Sequence, residues 1–507
     1  MTKFDTGTEL PENFLITDEF KDLFEIIENN KKQFLFVTGK AGTGKSTFLE
    51  YFRQNTSTNH VILAPTGVAA IKCKGKTIHS FFGFPHRVVE DKDIKKIKDV
   101  ELIKKLDVLL VDECSMVRAD ILDAINKSLQ FNRKNQIPFG GVQIVLIGDL
   151  FQLPPVISEA RDILEELYPE GQFFFNSNIF YNTKFEIFEF SKIFRQSEKK
   201  FINLLNKIRI CEIENNELNE INRRVISNED IYPENTIILC PTNAKVDEIN
   251  EENLNNLDAK SYEYVGKISG SFKDKELPAE KYLRLKVGAQ VMILKNDLEN
   301  PRRWVNGTIA KIHHLEKDMI LVDIDGKIYE IKKNKWEKFD YHLVGKSINP
   351  TVVGRYFQYP LKLAWSATIH KCQGQTFNKV FIDLDRGAFS HGQTYVALSR
   401  ATSMDGIYLK RNIQLSDIIF DQRVYNYLGL KIKNKYLKEI KNNSKFNRRK
   451  LGVNDKKELE NDWTEKDDAT LIKLYKKNVP EFALAKIVKK KPTEVRQRIL
   501  YLLNKEK

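Results

Sequence analysis

The sequence predicts an α/β protein built on parallel sheets. Three observations carry that expectation. Apolar runs of strand character recur up to about residue 190, and each is followed by a helical segment. The runs are apolar throughout, as strands covered on both faces require. A glycine-rich loop, "GKAGTGKST", joins one such run to the next helix.

The first strand is "QFLFV", and the helix after the loop opens at "STFLEYF". The loop fits G-x-x-x-x-G-K-[ST] from Gly39 to Ser46. Gly42 and Gly44 let backbone N–H groups turn around phosphate oxygens, and the helix N-terminus favours negative charge there. Gly39, Ala41, Gly42, Thr43, Gly44, Lys45, Ser46 and Thr47 are therefore candidate nucleotide ligands. Lys45 should reach the outer phosphates of ATP, and the Ser46 hydroxyl should bind magnesium.

Three further strands follow. "VILAPT" (Val61–Thr66) precedes the helical "GVAAIK", and "DVLLVDE" (Asp107–Glu113) precedes "ADILDAINKSLQ". Asp112 at the strand tip can hold magnesium, and Glu113 can activate the attacking water. "VQIVLIGD" (Val142–Asp149) runs into "GDLFQLPPV", which places Gln152 to sense the γ-phosphate while two prolines stiffen the exit.

A second strand–helix region starts near "FEIFEF" (Phe185–Phe190) and includes "TIILCPT" (Thr236–Thr242) and "KVFIDLD" (Lys379–Asp385). Within it, "MILVDIDGKIYEI" (Met319–Ile331) reads as a hairpin around Asp325-Gly326. Residues 296–345 are read as a small β insertion. Residues 425–458 are polar and basic, a linker by composition. In the last segment, 459–507, Thr464 can cap a helix, and Trp463, Leu471, Leu474 and Tyr475 can share an apolar face. Two more short helices follow, the last with Pro492 near its start and Val495, Ile499 and Leu502 along it.

Composition bounds the function. The chain has 507 residues, enough for about three or four domains. A formal net charge of +13 points to polyanion partners, nucleic acid or an acidic membrane face, though charge alone fits a solvated basic surface as well. The five cysteines (Cys73, Cys114, Cys211, Cys240, Cys372) show no metal-ligand spacing, which fits a reducing compartment. With no presequence pattern and no membrane-spanning run, the expectation is a cytoplasmic protein without a membrane partner.

Two arginines, Arg195 in "IFRQ" and Arg400 in "YVALSRATS", could supply cations to a transferring phosphoryl group. "APTGVAA" (Thr66, Gly67), "TIHSFFG" (His79, Ser80, Phe81), the strand end Thr242–Asn243, and "WSATIHKCQGQTF" (His370, Lys371) mix hydroxyls, imidazoles, a lysine and aromatics. That mixture suits a groove that follows a phosphate backbone and stacks bases, though core packing explains each one singly.

Taken in order, the glycine-rich loop, "APTGVAA", "TIHSFFG", "LLVDE", "PFGGVQIVLIGDLFQLPPV", "FRQ", "LKVGAQVMILKN", "WVNG", "TIHKCQGQTF" and "YVALSRA" resemble the motifs of PIF-type DNA helicases. These are the superfamily 1, group B helicases, related to RecD. The resemblance covers about residues 15–412. It implies two RecA-like lobes, about 1–190 and 191–424, with ATP between them and single-stranded DNA across both. It implies 5′→3′ movement, with unwinding of tailed or forked duplex in replication, repair or recombination, the family's telomere maintenance included. Lys45, Asp112, Glu113, Gln152, Arg195 and Arg400 take the catalytic roles, with Gly374 beside the nucleotide. Thr66, His79 and His370 lie near DNA, about 80–103 forms a wedge, and the β insertion is an SH3-like domain.

One departure concerns the base. Such helicases carry an upstream glutamine that reads adenine, whereas "LITDEFKDLFEII" has none, and Phe20 stands near its place. Cys372 also replaces the family's usual serine. The tail resembles a Myb/SANT-type three-helix module, with Lys489, Lys490, Lys491, Arg496 and Arg498 near a recognition helix, for DNA contact or protein docking. Two readings compete with a DNA motor that is monomeric in solution: a nucleotide-gated binding protein and an RNA-directed motor.

Overall fold

The computed structural model describes residues 16–157, 161–194, 198–226, 235–297, 299 and 302–430, with Thr464, Asp467, Asp468, Thr470, Leu471, Val488 and Arg498 beyond them. The first lobe is a parallel sheet of β1 (Phe34–Gly39), β2 (His60–Ala64), β3 (Lys76–Thr77), β4 (Val108–Val111), β5 (Gln143–Ile147) and β6 (Glu186–Phe190), in the order β3-β2-β4-β5-β1-β6. Every residue of β4 and β5 is buried, as apolar runs with no alternation predict. Because the strands are parallel, the loops after β1, β2, β4 and β5 all open at one edge of the sheet.

"FEIFEF" belongs to this first lobe and does not open the second. Its strand pairs with β1 from Leu35↔Glu186 to Gly39↔Phe190. It reads differently from its neighbours because it is an edge strand whose side chains alternate between half-buried and exposed.

The second lobe holds a smaller parallel sheet. β7 (Ile237–Cys240) comes first in the chain and antiparallel strands follow: β8 (Ser261–Val265), β9 (Lys267–Gly270), β10 (Tyr282–Lys286), β11 (Gln290–Ile293), β12 (Ile309–Leu315), β13 (Ile320–Ile324), β14 (Lys327–Ile331), β15 (Asn334–Val344), β16 (Ser347–Gln358) and β17 (Leu361–Leu363). The chain then returns to the parallel sheet through β18 (Ser366–Thr368), β19 (Val380–Ile382) and β20 (Ile407–Leu409), in the order β18-β7-β19-β20. The β insertion thus runs from Ser261 to Leu363, wider than 296–345. The flanking strands form no apolar run, because they alternate charged and apolar residues, as in "YLRLK". The hairpin is as expected: Ile324 pairs with Lys327 across Asp325 (φ 51°) and Gly326 (φ 83°), both left-handed as a two-residue turn requires.

The long β15–β16 hairpin reaches back to the first lobe. The Ile62 amide of β2 donates to the Tyr341 hydroxyl at 3.1 Å, and Lys76 pairs with Asp340 at 2.6 Å. Asn59 accepts from the Ile348 amide at 2.9 Å and donates to the Lys346 carbonyl at 3.2 Å. Phe81, expected near DNA, instead turns inward: it is 8% exposed, edge-on to Phe82 and Tyr341.

The expected tail module falls mostly outside the described residues. Within them, Thr464 does cap: its hydroxyl accepts from the Asp467 amide at 3.2 Å, and Asp467 accepts back from the Thr464 amide at 3.1 Å. Arg498 grips Asp468 through two bonds of 2.7 and 2.8 Å. Among the described residues no helix is long and apolar enough to cross a membrane.

Tyr341→Phe should lower the stability of the first lobe by about 1–3 kcal/mol, since it leaves a buried amide without its acceptor. A thermal melt of the variant should show a lower midpoint; an unchanged midpoint would mean the hairpin contact contributes nothing.

Candidate nucleotide site between the lobes

The glycine-rich loop has the geometry its sequence demands. Gly42 (φ 82°) and Gly44 (φ 87°) are left-handed. A Cβ on Gly39 would stand 2.7 Å from Thr43 Oγ1 and 2.9 Å from the Phe190 carbonyl, so no larger residue fits. The helix Lys45–Asn55 starts after Gly44 with no side-chain cap, which leaves its first N–H groups for an anion. Lys45 Nζ donates to the carbonyls of Gly39 (2.6 Å) and Lys40 (3.0 Å). Burial lowers the Lys45 pKa, against the opposing fields of Asp149, Glu113 and Asp112. Thr43 is buried with its hydroxyl on the Lys40 carbonyl, Ala41 is buried, Ser46 is exposed and Thr47 half-buried.

Asp112 and Glu113 emerge at the end of β4. Glu113 takes a left-handed φ of 51°, unusual for a residue with a side chain and a mark of backbone held under strain at a functional turn. Its amide donates to Asp112 Oδ1 at 2.9 Å. Burial, and then the neighbouring Glu113 charge, raise the Asp112 pKa well above the carboxylate range.

Sequence reasoning missed the residue that joins these groups. Gln373, from the turn after β18, donates its side-chain amide to Glu113 Oε2 at 3.1 Å and to Gln152 Oε1 at 3.0 Å. One second-lobe side chain thus touches both the Glu113 carboxylate and the Gln152 side chain of the first lobe. The same turn carries Gly374 (φ 76°), whose carbonyl accepts from Lys72 at 3.4 Å. Gln373 stands in "HKCQGQTF", where His370 and Lys371 carry the more obvious chemistry.

The loop Asp149–Gln152 is equally embedded in the second lobe. The Asp149 carboxylate is 1% exposed and accepts from Arg209 at 2.9 Å and from the Tyr395 hydroxyl at 3.5 Å. The same Tyr395 hydroxyl accepts from the Ala41 amide of the glycine-rich loop at 3.0 Å. Burial pushes the Asp149 pKa up, but Arg209 and Lys45 more than offset it and hold it below the ordinary value. His391 accepts from the Asp421 amide at Nδ1 (2.9 Å), so Nε2 carries the proton donated to the Leu150 carbonyl (2.8 Å). Nothing local in "NKIRIC" marks Arg209.

Arg400 is enclosed by its own lobe. It is 1% exposed, and its guanidinium donates to the carbonyls of Val396 (2.9 Å), Cys372 (3.3 Å) and Gln375 (3.0 Å) and to Ser399 Oγ (2.8 Å). The structure makes it a brace for the turn that carries Gln373. Arg195 lies outside the described residues. Phe20 is core: its ring packs on Phe48 and Phe190 and offers no hydrogen bond to a base. Phe194 is 47% exposed, its amide donates to the Gly42 carbonyl at 2.8 Å, and its ring lies 3.7 Å from where a Gly44 Cβ would be.

The remaining candidates fall on corresponding edges of the two sheets. Thr66 follows β2 and caps the helix Gly67–Lys72, while Thr242 follows β7 and caps the helix Asn243–Asn256. Thr242, Asn243, Ser80 and Lys371 are exposed, and a Cβ on Gly67 would meet nothing within 4 Å. His79 is stacked on His86 at 4.8 Å; burial, then His86, bring its pKa to about 4, so it is neutral at pH 7. Burial also lowers the pKa of the half-buried His370.

A model of PIF1-like helicases matches residues 15–219, and one of the Pif1 2B domain matches 272–315. Pif1 from Bacteroides sp. in complex with ADP-AlF4 is 37% identical, with a TM-score of 0.74 over 82% of this chain and 98% of that one. The chain belongs to the PIF1-like helicase family. Bacteroides Pif1 bound to single-stranded DNA is 38% identical, with a TM-score of 0.59 over 82% of this chain and 96% of that one. The ATP-dependent DNA helicase Pif1 of Bdellovibrio bacteriovorus is 29% identical over 392 residues, 74% of this chain and 83% of the relative.

In this PIF1-like helicase, Gln373→Ala should lower the kcat of ATP hydrolysis about tenfold with little change in KM, because only the placement of Glu113 and Gln152 is lost. Steady-state kinetics check this; a rise in KM at unchanged kcat would make Gln373 a ground-state ligand instead.

Proposed function

We propose that this chain moves 5′→3′ along single-stranded DNA and separates tailed or forked duplex, driven by ATP bound in the Gly39–Thr47 loop. It is an ATP-dependent DNA helicase of the PIF1 family. The observation that carries the mechanism is the contact of Gln373 with both Glu113 and Gln152. It ties the chemistry of one lobe to a turn of the other, and His370 and Lys371 sit three and two residues upstream, at the proposed DNA groove.

The donors fit a hard cation. Ser46 and Asp112 offer oxygen, and no cluster of three or more His, Cys, Asp or Glu competes for a metal among the described residues. Magnesium held there with the phosphates would neutralise charge during transfer. Lys45 binds the outer phosphates. Glu113 holds and deprotonates the attacking water, Gln152 reports the γ-phosphate, and Arg195 supplies the second-lobe cation. Arg400 acts through the Gln373 turn. Phe194 gives the base an apolar face without hydrogen bonds, so the site discriminates weakly between adenine and other bases.

Thr66, Gly67, His79, Ser80, Thr242, Asn243, His370 and Lys371 line the strand's path, by their place at the sheet edges. Residues 80–103 form the wedge. The β insertion is SH3-like, and the tail is a Myb/SANT-like module giving a second DNA or protein contact. The protein is read as a cytoplasmic monomer, acting in replication, repair or recombination.

Two duplexes that differ only in the polarity of one single-stranded tail test the direction. The 5′-tailed one should open with ATP and magnesium, and opening of the 3′-tailed one alone would overturn it. Lys45→Ala should abolish turnover, since the lysine carries the phosphate charge; retained turnover in an ATPase assay would remove the site assignment.

A further inference from the structure

We propose that Arg209 is the positioning residue that fastens the Asp149–Gln152 loop to the second lobe, so that the γ-phosphate sensor moves with that lobe. By sequence the loop belongs to the first lobe, where it follows β5. By contact it belongs to both lobes. Arg209, at the end of the second-lobe helix Lys199–Arg209, reaches Asp149 Oδ1 with Nε at 3.3 Å and Nη2 at 2.9 Å. The same guanidinium lies 4.2 Å from the centre of the Phe151 ring, and Tyr425 meets that ring edge-on at 5.6 Å.

The anchor continues residue by residue. His391 holds the Leu150 carbonyl. A Cβ on Gly392 would stand 2.2 Å from the Phe151 carbonyl and 2.8 Å from that of Gln152, so second-lobe backbone lies directly on the loop. Asp149 then acts on the sensor itself: its Oδ2 accepts from Gln152 Nε2 at 3.4 Å, beside the bond from Tyr395. Arg209 therefore fixes the carboxylate that orients Gln152.

Only arginine suits this place. Its planar fork can meet a carboxylate while its face stacks on an aromatic ring, and both are buried here. A lysine would keep the charge and lose the stack. A residue placed to bind phosphate would keep its fork free, and here Asp149 occupies it. The inference rests on the helicase reading for its consequence, because the sensor's movement matters only if ATP turnover drives the lobes.

The test uses the full chain, with dyes on cysteines introduced at the exposed Asp22 of the first lobe and Lys379 of the second. The wild-type distance should change when ADP-AlF4 and single-stranded DNA are added. Arg209→Gln should bind nucleotide within about twofold of wild type, yet show a several-fold smaller distance change and about tenfold fewer base pairs opened per ATP, with Arg209→Lys between. Because Arg209→Gln removes the guanidinium that pairs with the buried Asp149 carboxylate, the pair Asp149→Asn/Arg209→Gln is measured beside it and should show the same uncoupling while folded. A double variant with the wild-type distance change and yield would overturn the proposal. So would a tenfold loss of nucleotide affinity, which would make Arg209 a ligand of ATP. If the wild type opened no duplex, the helicase reading would fail, while the distance change would still report on Arg209.

Discussion

A buried carboxylate of the first lobe, Asp149, is bonded by an arginine and a tyrosine of the second. A charge taken out of water is tolerated only when it is paired and hydrogen-bonded, and Asp149 draws its guanidinium and a hydroxyl from the opposite lobe, Arg209 and Tyr395, beside bonds from Phe151 and Gln152 of its own loop. Removing one partner of such a pair typically costs about 3–5 kcal/mol, so the interface is specified by charge as well as by shape. Tyr395 extends the link to the Ala41 amide, and Gln152 extends it to Gln373 and Glu113. Five hydrogen bonds thus connect the glycine-rich loop, Gln152 and Glu113 by way of second-lobe side chains.

This arrangement explains how a site made of common parts becomes part of a motor. The glycine-rich loop and the two carboxylates could serve many phosphoryl-transfer proteins. What is particular here is that Glu113 and Gln152 both contact a turn, Cys372–Gln375, that Arg400 braces from within the second lobe. His370 and Lys371 lead directly into that turn. A strand lying on them would act on Gln373 through a few bonds of rigid backbone, and nucleotide chemistry would act back by the same route.

The legible parts were those whose chemistry is local. Glycines at φ 82° and 87°, a lysine after them and carboxylates at a strand tip are forced into adjacent positions, so one short window reveals them. The hairpin turn at Asp325-Gly326 was readable for the same reason. The interface was not: Gln373 lies 260 positions from Glu113 and Arg209 lies 60 from Asp149, and neither pairing leaves a trace in its own window. Phe81 and Arg400 stood in recognisable motifs, but a motif does not say which way a side chain turns, and both turned inward. The β insertion was read too short because its outer strands are half-exposed and alternate in polarity, unlike the apolar runs around them.

The most direct test of the account is the ATP turnover of the wild-type protein with and without single-stranded DNA. If the contacts between the lobes couple the strand to the chemistry, saturating DNA should raise kcat by about tenfold or more, since small changes in the placement of a water-activating carboxylate have effects of that order. Turnover that is brisk alone and indifferent to DNA would contradict the account, leaving a nucleotide hydrolase whose two lobes do not communicate.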